Sequence, residues 1–449
     1  MIKRRAYHQL LDWKKQSKGR TSLMIEGARR VGKSTLAEEF AKNEYRSYLL
    51  IDFSKEDQAI RDLFLNKRND IEAFFSYLDA ISDITFFERE TLLIFDEIQM
   101  LPEARGFLKH LVADGRYDYI ATGSLISIKR NVQNIVIPSE VQTLELNSLD
   151  FEEFLHALGY AQLADLLSQT ITTLEPLPQG LHQKAMEHFR EYMIVGGMPQ
   201  AVSKYIETKD FGQVDSTKRM ILDLYRNDII RYGGEEEGRI TAIFDQIPAQ
   251  LAKKEKKFTI SSLGEQARIR RYEEAFFWLR DSKIVNISHN ATDPNVGLSL
   301  SLDHTSFKCF MADTGLLVTQ AFADKESTSH EVYRAILFDR LGINEGMLME
   351  NIVAQQLHAS GHRLFFYSRA RKEDTAATEI DFLIQRMKGL KPRISPIEVK
   401  SSKRYKTASL DRFSTSFSKR LGKQYVLHTG NLEIEGERIL TPLYLAGWL

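Results

Sequence analysis

Gly27-Ala-Arg-Arg-Val-Gly-Lys-Ser34 carries the spacing G-x-x-x-x-G-K-S/T in full, a pattern suited to cradling a polyphosphate. Gly27 and Gly32 allow backbone amides to turn inward around phosphate oxygens. The Lys33 ammonium is placed to reach the β- and γ-phosphates, and the Ser34 hydroxyl to bind Mg²⁺. The contact set is Gly27, Ala28, Arg29, Arg30, Val31, Gly32, Lys33, Ser34 and Thr35. About 60 residues further on, Leu92-Leu-Ile-Phe-Asp96-Glu97 sets two carboxylates behind four apolar residues. Asp96 suits a metal, and Glu97 suits a general base that polarises an attacking water. Ala121-Thr-Gly-Ser124 ends another apolar run, so Thr122 or Ser124 is a candidate contact for the γ-phosphate or the water.

A second group of chemistry-bearing residues lies near the C-terminus. In Glu379-Ile-Asp381-Phe-Leu-Ile the alternation puts Glu379 and Asp381 on one strand face. Ile397-Glu398-Val399-Lys400 alternates likewise, placing Glu398 beside Lys400. A Gly- and Pro-containing connection, Arg386 to Arg393, permits a hairpin that brings the two faces together. Asp381 and Glu398, with Glu350 from the preceding helix, would supply hard oxygen ligands for Mg²⁺. Such an ion activates water and offsets charge on a phosphate, with Lys400 assisting.

These residues need elements to position them. Ser22–Glu26, Ser47–Asp52, Thr91–Phe95, Tyr117–Ala121 and Ile135–Ile137 are short apolar runs alternating with amphipathic stretches. That is the pattern of a parallel α/β sheet covered on both faces. The loop would follow the first strand and open a helix, whose N-terminal amides add to anion binding. From about Leu149 the texture is helical, interrupted at Gly196-Gly-Met-Pro199. Thr259–Ala267 and Arg268–Leu279 read as two helices, the second with Tyr272, Ala275, Phe276 and Leu279 on one buried face. Strands at Lys283–Ser288 and Ser306–Phe310 would follow as a hairpin. Helix-turn-helix plus hairpin resembles a winged helix, which would make Arg268, Arg270 and Arg271 contact candidates for DNA. The expected divisions are residues 1–147, a nucleotide-binding core; 148–235, a helical lid; 236–325, the winged helix; and 335–449, the carboxylate-bearing α/β domain.

The G-x-R-R-x-G-K-S loop, the strand ending in Asp96-Glu97 and the Thr-Gly-Ser segment resemble the AAA-type branch of P-loop ATPases, ASCE and STAND-like. The likeness continues through Leu149–Leu155, Gly196–Pro199, Met311–Leu317 and Glu350-Asn351, and so spans nearly the whole chain. It implies ATP and Mg²⁺ as ligands, and a C-terminal half catalogued only as a domain of unknown function. In related switch-type ATPases a Gly-x-Pro of the lid packs near adenine, and Pro199 is the matching residue. Arg29, Arg30, Arg105 and Arg130 are the arginine-finger candidates. The Asp381…Glu398-x-Lys400 arrangement resembles the PD-(D/E)XK nuclease fold, departing from it by Ile380-Asp381 in place of Pro-Asp. A nuclease of that kind would use Asp381, Glu398 and Lys400 catalytically.

Composition bounds the alternatives. The 449 residues carry 61 basic and 61 acidic side chains and one cysteine, Cys309. An internal disulfide or a cysteine zinc site is excluded, and no apolar stretch reaches the length of a membrane helix. A cytoplasmic protein without a membrane role is the expectation. The neutral sum hides an asymmetry: residues 351–449 hold 17 basic against 9 acidic residues, the remainder 44 against 52. The positive excess, including Lys400, Lys403, Arg404 and Lys406, lies where a phosphate backbone would need it. Two readings follow. One is an ATPase whose cycle controls a nucleic-acid-binding or nuclease-like domain. The other is an ATP-dependent switch or scaffold that binds a protein partner or assembles with itself, its nuclease-like domain inactive. A small-molecule kinase would leave the long C-terminal extension unexplained.

Overall fold

Five strands of alternating side-chain direction organise the N-terminal part: β1 (Ser22–Glu26), β2 (Ser47–Asp52), β3 (Thr91–Asp96), β4 (Asp118–Gly123) and β5 (Val141–Glu145). The computed structural model describes residues 2–449 except 56, 124–139, 254–256, 265–267, 323–329, 338–344, 372–375, 389–390 and 403. It divides the chain into two compact units, residues 3–147 and residues 148–449 with Ile2.

In the first unit every strand pairs in parallel, in the order β2-β3-β4-β1-β5. Parallel neighbours need crossovers; the helices Lys33–Glu44, Gln58–Asn66, Ile71–Ile81 and Pro102–Asp114 lie in these connections. β1, β3 and β4 are buried along their whole length. Their alternate residues feed two separate cores. Met24, Leu93, Phe95 and Tyr119 join Phe64, Phe74 and Phe107 in one; Leu23, Ile25, Ile94 and Ile120 join Trp13 and Phe40 in the other. The first is an aromatic lattice, with Phe64–Phe74 and Phe74–Phe107 centroids 5.1 and 5.0 Å apart, edge to face. The expected strand Ile135–Ile137 lies outside the described residues. The strand that completes the sheet, β5, is more polar; as an edge it buries only Leu144 fully.

The second unit begins with five helices, Phe151–Ala157, Ala161–Thr173, Gln179–Val195, Pro199–Thr208 and Phe211–Tyr232. It continues into one sheet of eight strands: β6 (Val285–Ala291), β7 (Leu302–Met311), β8 (Phe365–Arg369), β9 (Thr378–Lys388), β10 (Lys391–Val399), β11 (Gln424–His428), β12 (Glu433–Glu435) and β13 (Arg438–Pro442). The order is β12-β13-β11-β10-β9-β8-β6-β7. β9 and β10 form the expected antiparallel hairpin, with Ile397 opposite Phe382.

The winged-helix reading meets three differences. Thr259–Ala267 forms only a 3-10 turn at Ile260–Leu263 within its described part. The second helix starts at Glu273, not Arg268, so Arg268, Arg270 and Arg271 lie before it, the last two in a 3-10 turn. Above all, the β6–β7 hairpin is no separate wing. β6 pairs with β8 through His289 and Asn290, and the Asn290 side chain accepts from Ser368 N at 2.9 Å. Two unpaired strand edges are a liability that fusing the sheets removes, and a pairing between residues about 75 apart has no local signal.

Motif segments distant in sequence meet in one buried polar network of this unit. Asp313 caps the helix Thr314–Ala321 through Leu316 N (3.1 Å) and accepts from Gly197 N (2.6 Å). Asn351 spans Met311 N and O at 2.9 and 3.1 Å. Gln355 accepts from Thr314 N at 2.8 Å and donates to the Tyr192 hydroxyl at 2.8 Å. Lys218, fully buried, donates to Ile194 O (2.6 Å) and Gly315 O (3.1 Å). Burial pulls its pKa down to about 8, against the pull of Asp215 and Asp313. Unfolded lysine keeps its proton to about 10.4, so between the two values the unfolded state binds more protons. Stability should therefore rise with pH across that window. Relative to Lys218→Met, the wild type should gain up to about 3 kcal/mol between roughly pH 7.5 and 10.5 in urea denaturation; parallel curves would refute the assignment.

Candidate functional site

Parallel strands point their C-terminal ends to one edge of a sheet, where open α/β sheets bind ligands. In the first unit that edge carries the loop after β1, the carboxylates after β3 and Thr122 on β4. Gly27 sits where an added Cβ would lie 2.3 Å from Leu146 O, so a side chain there would break the approach of the loop to the chain leaving β5. Gly32 caps the following helix at φ 96°, in the left-handed region open to glycine. The Lys33 side chain folds back inside the loop, donating to Gly27 O and Ala28 O at 3.1 Å each. Ala28 and Val31 are buried, while Arg29, Arg30 and Thr35 are exposed.

Asp96 is the hub. Its Oδ1 accepts from Ser34 Oγ at 2.5 Å and from the buried Thr122 hydroxyl. Thr122 Oγ1 in turn accepts from Glu97 N at 3.2 Å. Glu97 adopts φ 51° and ψ 46°, a left-handed conformation that costs a non-glycine residue about 1 kcal/mol. The Thr122 bond to its backbone N–H helps hold it in that conformation. Gln99, buried, donates to Glu97 Oε2 and orients it. Sequence reasoning passed over Gln99, although Asp96-Glu97-Ile98-Gln99 puts an amide two residues from the carboxylate. Of the two alternatives there, the Thr122 hydroxyl bonds Asp96; Ser124 and Arg130 lie outside the described residues. Arg105 is buried, its pKa lowered by burial against the opposing pull of Glu26. Pro199 opens a helix of the second unit.

The second unit holds the other expected group. Glu398 is buried and its Oε2 lies 2.8 Å from Lys400 Nζ; burial raises its pKa, the Lys400 contact opposing. Asp381 Oδ2 accepts from Val399 N at 2.8 Å, which pins the β9–β10 faces together as the alternation predicts. The unexpected member is Lys308 on β7, only 1% exposed. Its Nζ lies 2.9 Å from Glu379 Oε1, 3.6 Å from Glu350 Oε2 and 3.6 Å from Asp381 Oδ1. Burial alone would lower its pKa, but Glu350, Asp381 and Glu379 together raise it, so the ammonium is charged. Among the described residues no group of three or more His, Cys, Asp or Glu converges with metal-holding geometry. Arg404 and Lys406 are exposed on the segment after Lys400.

Residues 19–155 match the AAA domain family. Residues 186–327 and 345–446 match two further families, Domain of unknown function (DUF8612) and Domain of unknown function (DUF4143). No curated protein matches the chain. Solved structures similar to it include the Walker-type ATPase of Pyrococcus abyssi, at 16% identity and TM-score 0.42 over 71% of this chain and 96% of that one. A Signal Transduction ATPase with Numerous Domains protein of Pyrococcus horikoshii, with a tetratricopeptide repeat sensor, is similar at 13% identity and TM-score 0.27, over 79% and 48%. Drosophila ORC bound to DNA is similar at 13% and 0.28, over 68% and 92%. The first unit is thus similar to AAA domains over most of its length, and its parallel five-stranded sheet fits a P-loop fold.

The Thr122 hydroxyl gives the hub its sharpest test. Thr122→Val removes one of the two hydroxyls that Asp96 Oδ1 accepts and leaves Glu97 N without an acceptor in a buried place, which should cost about 2 kcal/mol. Thr122→Ser should restore most of it. Thermal unfolding of the two variants beside the wild type measures the difference.

Proposed function

We propose that the first unit binds ATP with Mg²⁺ and hydrolyses it, and that this cycle controls nucleic-acid binding by the second unit. The observation that carries the reading is the convergence of Lys33, Ser34, Asp96, Glu97 and Thr122 at one sheet edge. The donor set suits the group: two hard oxygens, Ser34 Oγ and Asp96 Oδ1, stand 2.5 Å apart beside a lysine held inside the loop. Ser34 and Asp96 would hold Mg²⁺, which when bound offsets phosphate charge.

The remaining steps belong to the protein's own groups. Loop amides and the helix start at Lys33 bind phosphate oxygens. The Lys33 ammonium exchanges its two carbonyl acceptors for β- and γ-phosphate oxygens, a gain in charge-assisted bonding. Glu97, its Oε2 held by Gln99, takes a proton from the attacking water at Oε1. Thr122 keeps the left-handed turn that aims this carboxylate.

Nucleic-acid binding by the second unit is supported by its positive C-terminal balance and by exposed Arg404 and Lys406. The nuclease-like likeness implies Mg²⁺ at Asp381, Glu398 and Glu350, and the residues do not suit it, because the Lys308 ammonium stands among the carboxylates. No cutting step is therefore assigned. The same observation favours a second reading, a nucleotide switch that binds a protein partner through a silent nuclease-like domain.

Glu97→Gln should lower ATP turnover about 10²–10⁴-fold while ATP binding survives. Lys33→Ala should weaken ATP binding roughly 100-fold, about 3 kcal/mol. Turnover assays and fluorescent-nucleotide titration read both, and unchanged turnover in Glu97→Gln refutes the base. Labelled DNA titrated with and without ATP separates the two readings: affinity that ignores ATP, and is unaltered by Lys33→Ala, favours the partner-binding switch. Mg²⁺-dependent nicking lost in Asp381→Ala would restore a cutting role.

A further inference from the structure

Four carboxylates from three elements approach one another in the second unit: Glu350 on the helix Glu345–Ala359, Glu379 and Asp381 on β9, and Glu398 on β10. Like charges gathered in a buried place repel and must protonate, be solvated, or be held by a cation. Three of them face a single ammonium. Lys308 reaches this point from β7, separated from β9 by the two strands β8 and β6 in the sheet order, at 2.9, 3.6 and 3.6 Å from oxygens of Glu379, Glu350 and Asp381. The Phe366 ring lies 5.1 Å from its Nζ, and closes another side with a further cation-binding surface.

We propose that Lys308 is a built-in replacement for the divalent ion of this cluster, holding Glu350, Glu379 and Asp381 and shutting Mg²⁺ and similar ions out. A hard ion bound to these oxygens would need them at about 2.0–2.6 Å from a common centre. That centre is the space the Nζ fills. One positive charge on a tethered side chain satisfies the carboxylates without dehydrating an ion, and no change of metal concentration can remove it. The lysine arrives through the fusion of the β6–β7 hairpin with the C-terminal sheet, which explains why the Asp381…Glu398-x-Lys400 pattern alone reads as a metal site. This inference deepens the reading of the second unit. Its test reads metal binding alone, so it can fail without affecting ATP turnover or DNA affinity.

The full chain, free of nucleotide and in an Asp96→Asn background so that the first unit contributes no ion, is titrated with Mn²⁺ and followed by electron paramagnetic resonance. The parent should bind no ion up to about 1 mM, beyond the range of most oxygen-ligand sites. Lys308→Met should gain one site with a Kd of about 0.1 mM or tighter, and adding Asp381→Asn should abolish it. Lys308→Gln, which keeps a donor for Glu379, is the second variant if the first folds poorly. For either variant Mn²⁺ should raise the Tm while leaving the parent unmoved. Mn²⁺ binding by the parent that Asp381→Asn removes would overturn the proposal. So would folded Lys308→Met and Lys308→Gln that bind none, since an ordinary structural ion pair predicts that result.

Discussion

One carboxylate oxygen, Asp96 Oδ1, takes hydroxyls from the loop after β1 and from β4. Three strand ends are tied at that atom, and the arrangement works only if β4 lies beside both β1 and β3. The sheet order supplies this, and the sheet order depends on the two cores on its faces. Burying alternate residues of β1, β3 and β4 in opposite clusters leaves no register freedom, because a one-residue slip would exchange the faces. The position of each catalytic candidate is therefore inherited from the packing of residues such as Phe95 and Ile94. Glu97 shows the cost of this geometry: the chain must leave the strand in a left-handed turn, held by a hydroxyl from the neighbouring strand.

The second unit rests on a buried carboxylate used in the opposite way. Asp96 stands at an edge where a ligand can exchange with its protein partners. Asp313 has no such role: it joins a helix start, the Gly196-Gly197 turn and Gln355, and lies wholly inside. Burial raises its pKa, opposed by the hydrogen bonds it accepts and by Lys218. Such a network is structurally demanding, since each buried polar member left without its partner costs about 1–3 kcal/mol.

What the sequence revealed and what it withheld divide by distance along the chain. The phosphate loop is legible because eight consecutive residues carry both the chemistry and the turn. The Asp96-Glu97 pair is legible because the four apolar residues before it specify a buried strand. The β9–β10 pairing is legible because alternation and a short connection leave one solution. Lys308 has no local mark: Ser306-Phe-Lys-Cys-Phe310 reads as a strand with one charged residue, and its partners lie about 40 to 75 residues away. The fused sheet is hidden for the same reason, since His289 and Phe365 share no pattern. Gln99 carried a local signal, but a glutamine beside a stronger pair of carboxylates reads as turn polarity. Gly196-Gly-Met-Pro199, Met311–Leu317 and Glu350-Asn351 were visible as motifs, yet only the hydrogen bonds of Asp313, Asn351 and Gln355 explain why they occur together.

The continuity of β6 with β8 bears on heredity as well as on folding. A gene exchange with its crossover anywhere between Met311 and Phe365 would set the β6–β7 hairpin of one lineage against the β8–β9 strands of another. Asn290 would then have to match a foreign Ser368, and Lys308 a foreign set of carboxylates. A lysine arriving without its acids, or acids without their lysine, would leave buried charge uncompensated. The two stretches of unknown function behave, by this logic, as one unit of inheritance, and substitutions at position 308 should be accompanied by changes at 350, 379 or 381 or by a bound cation that takes the place of the lost charge.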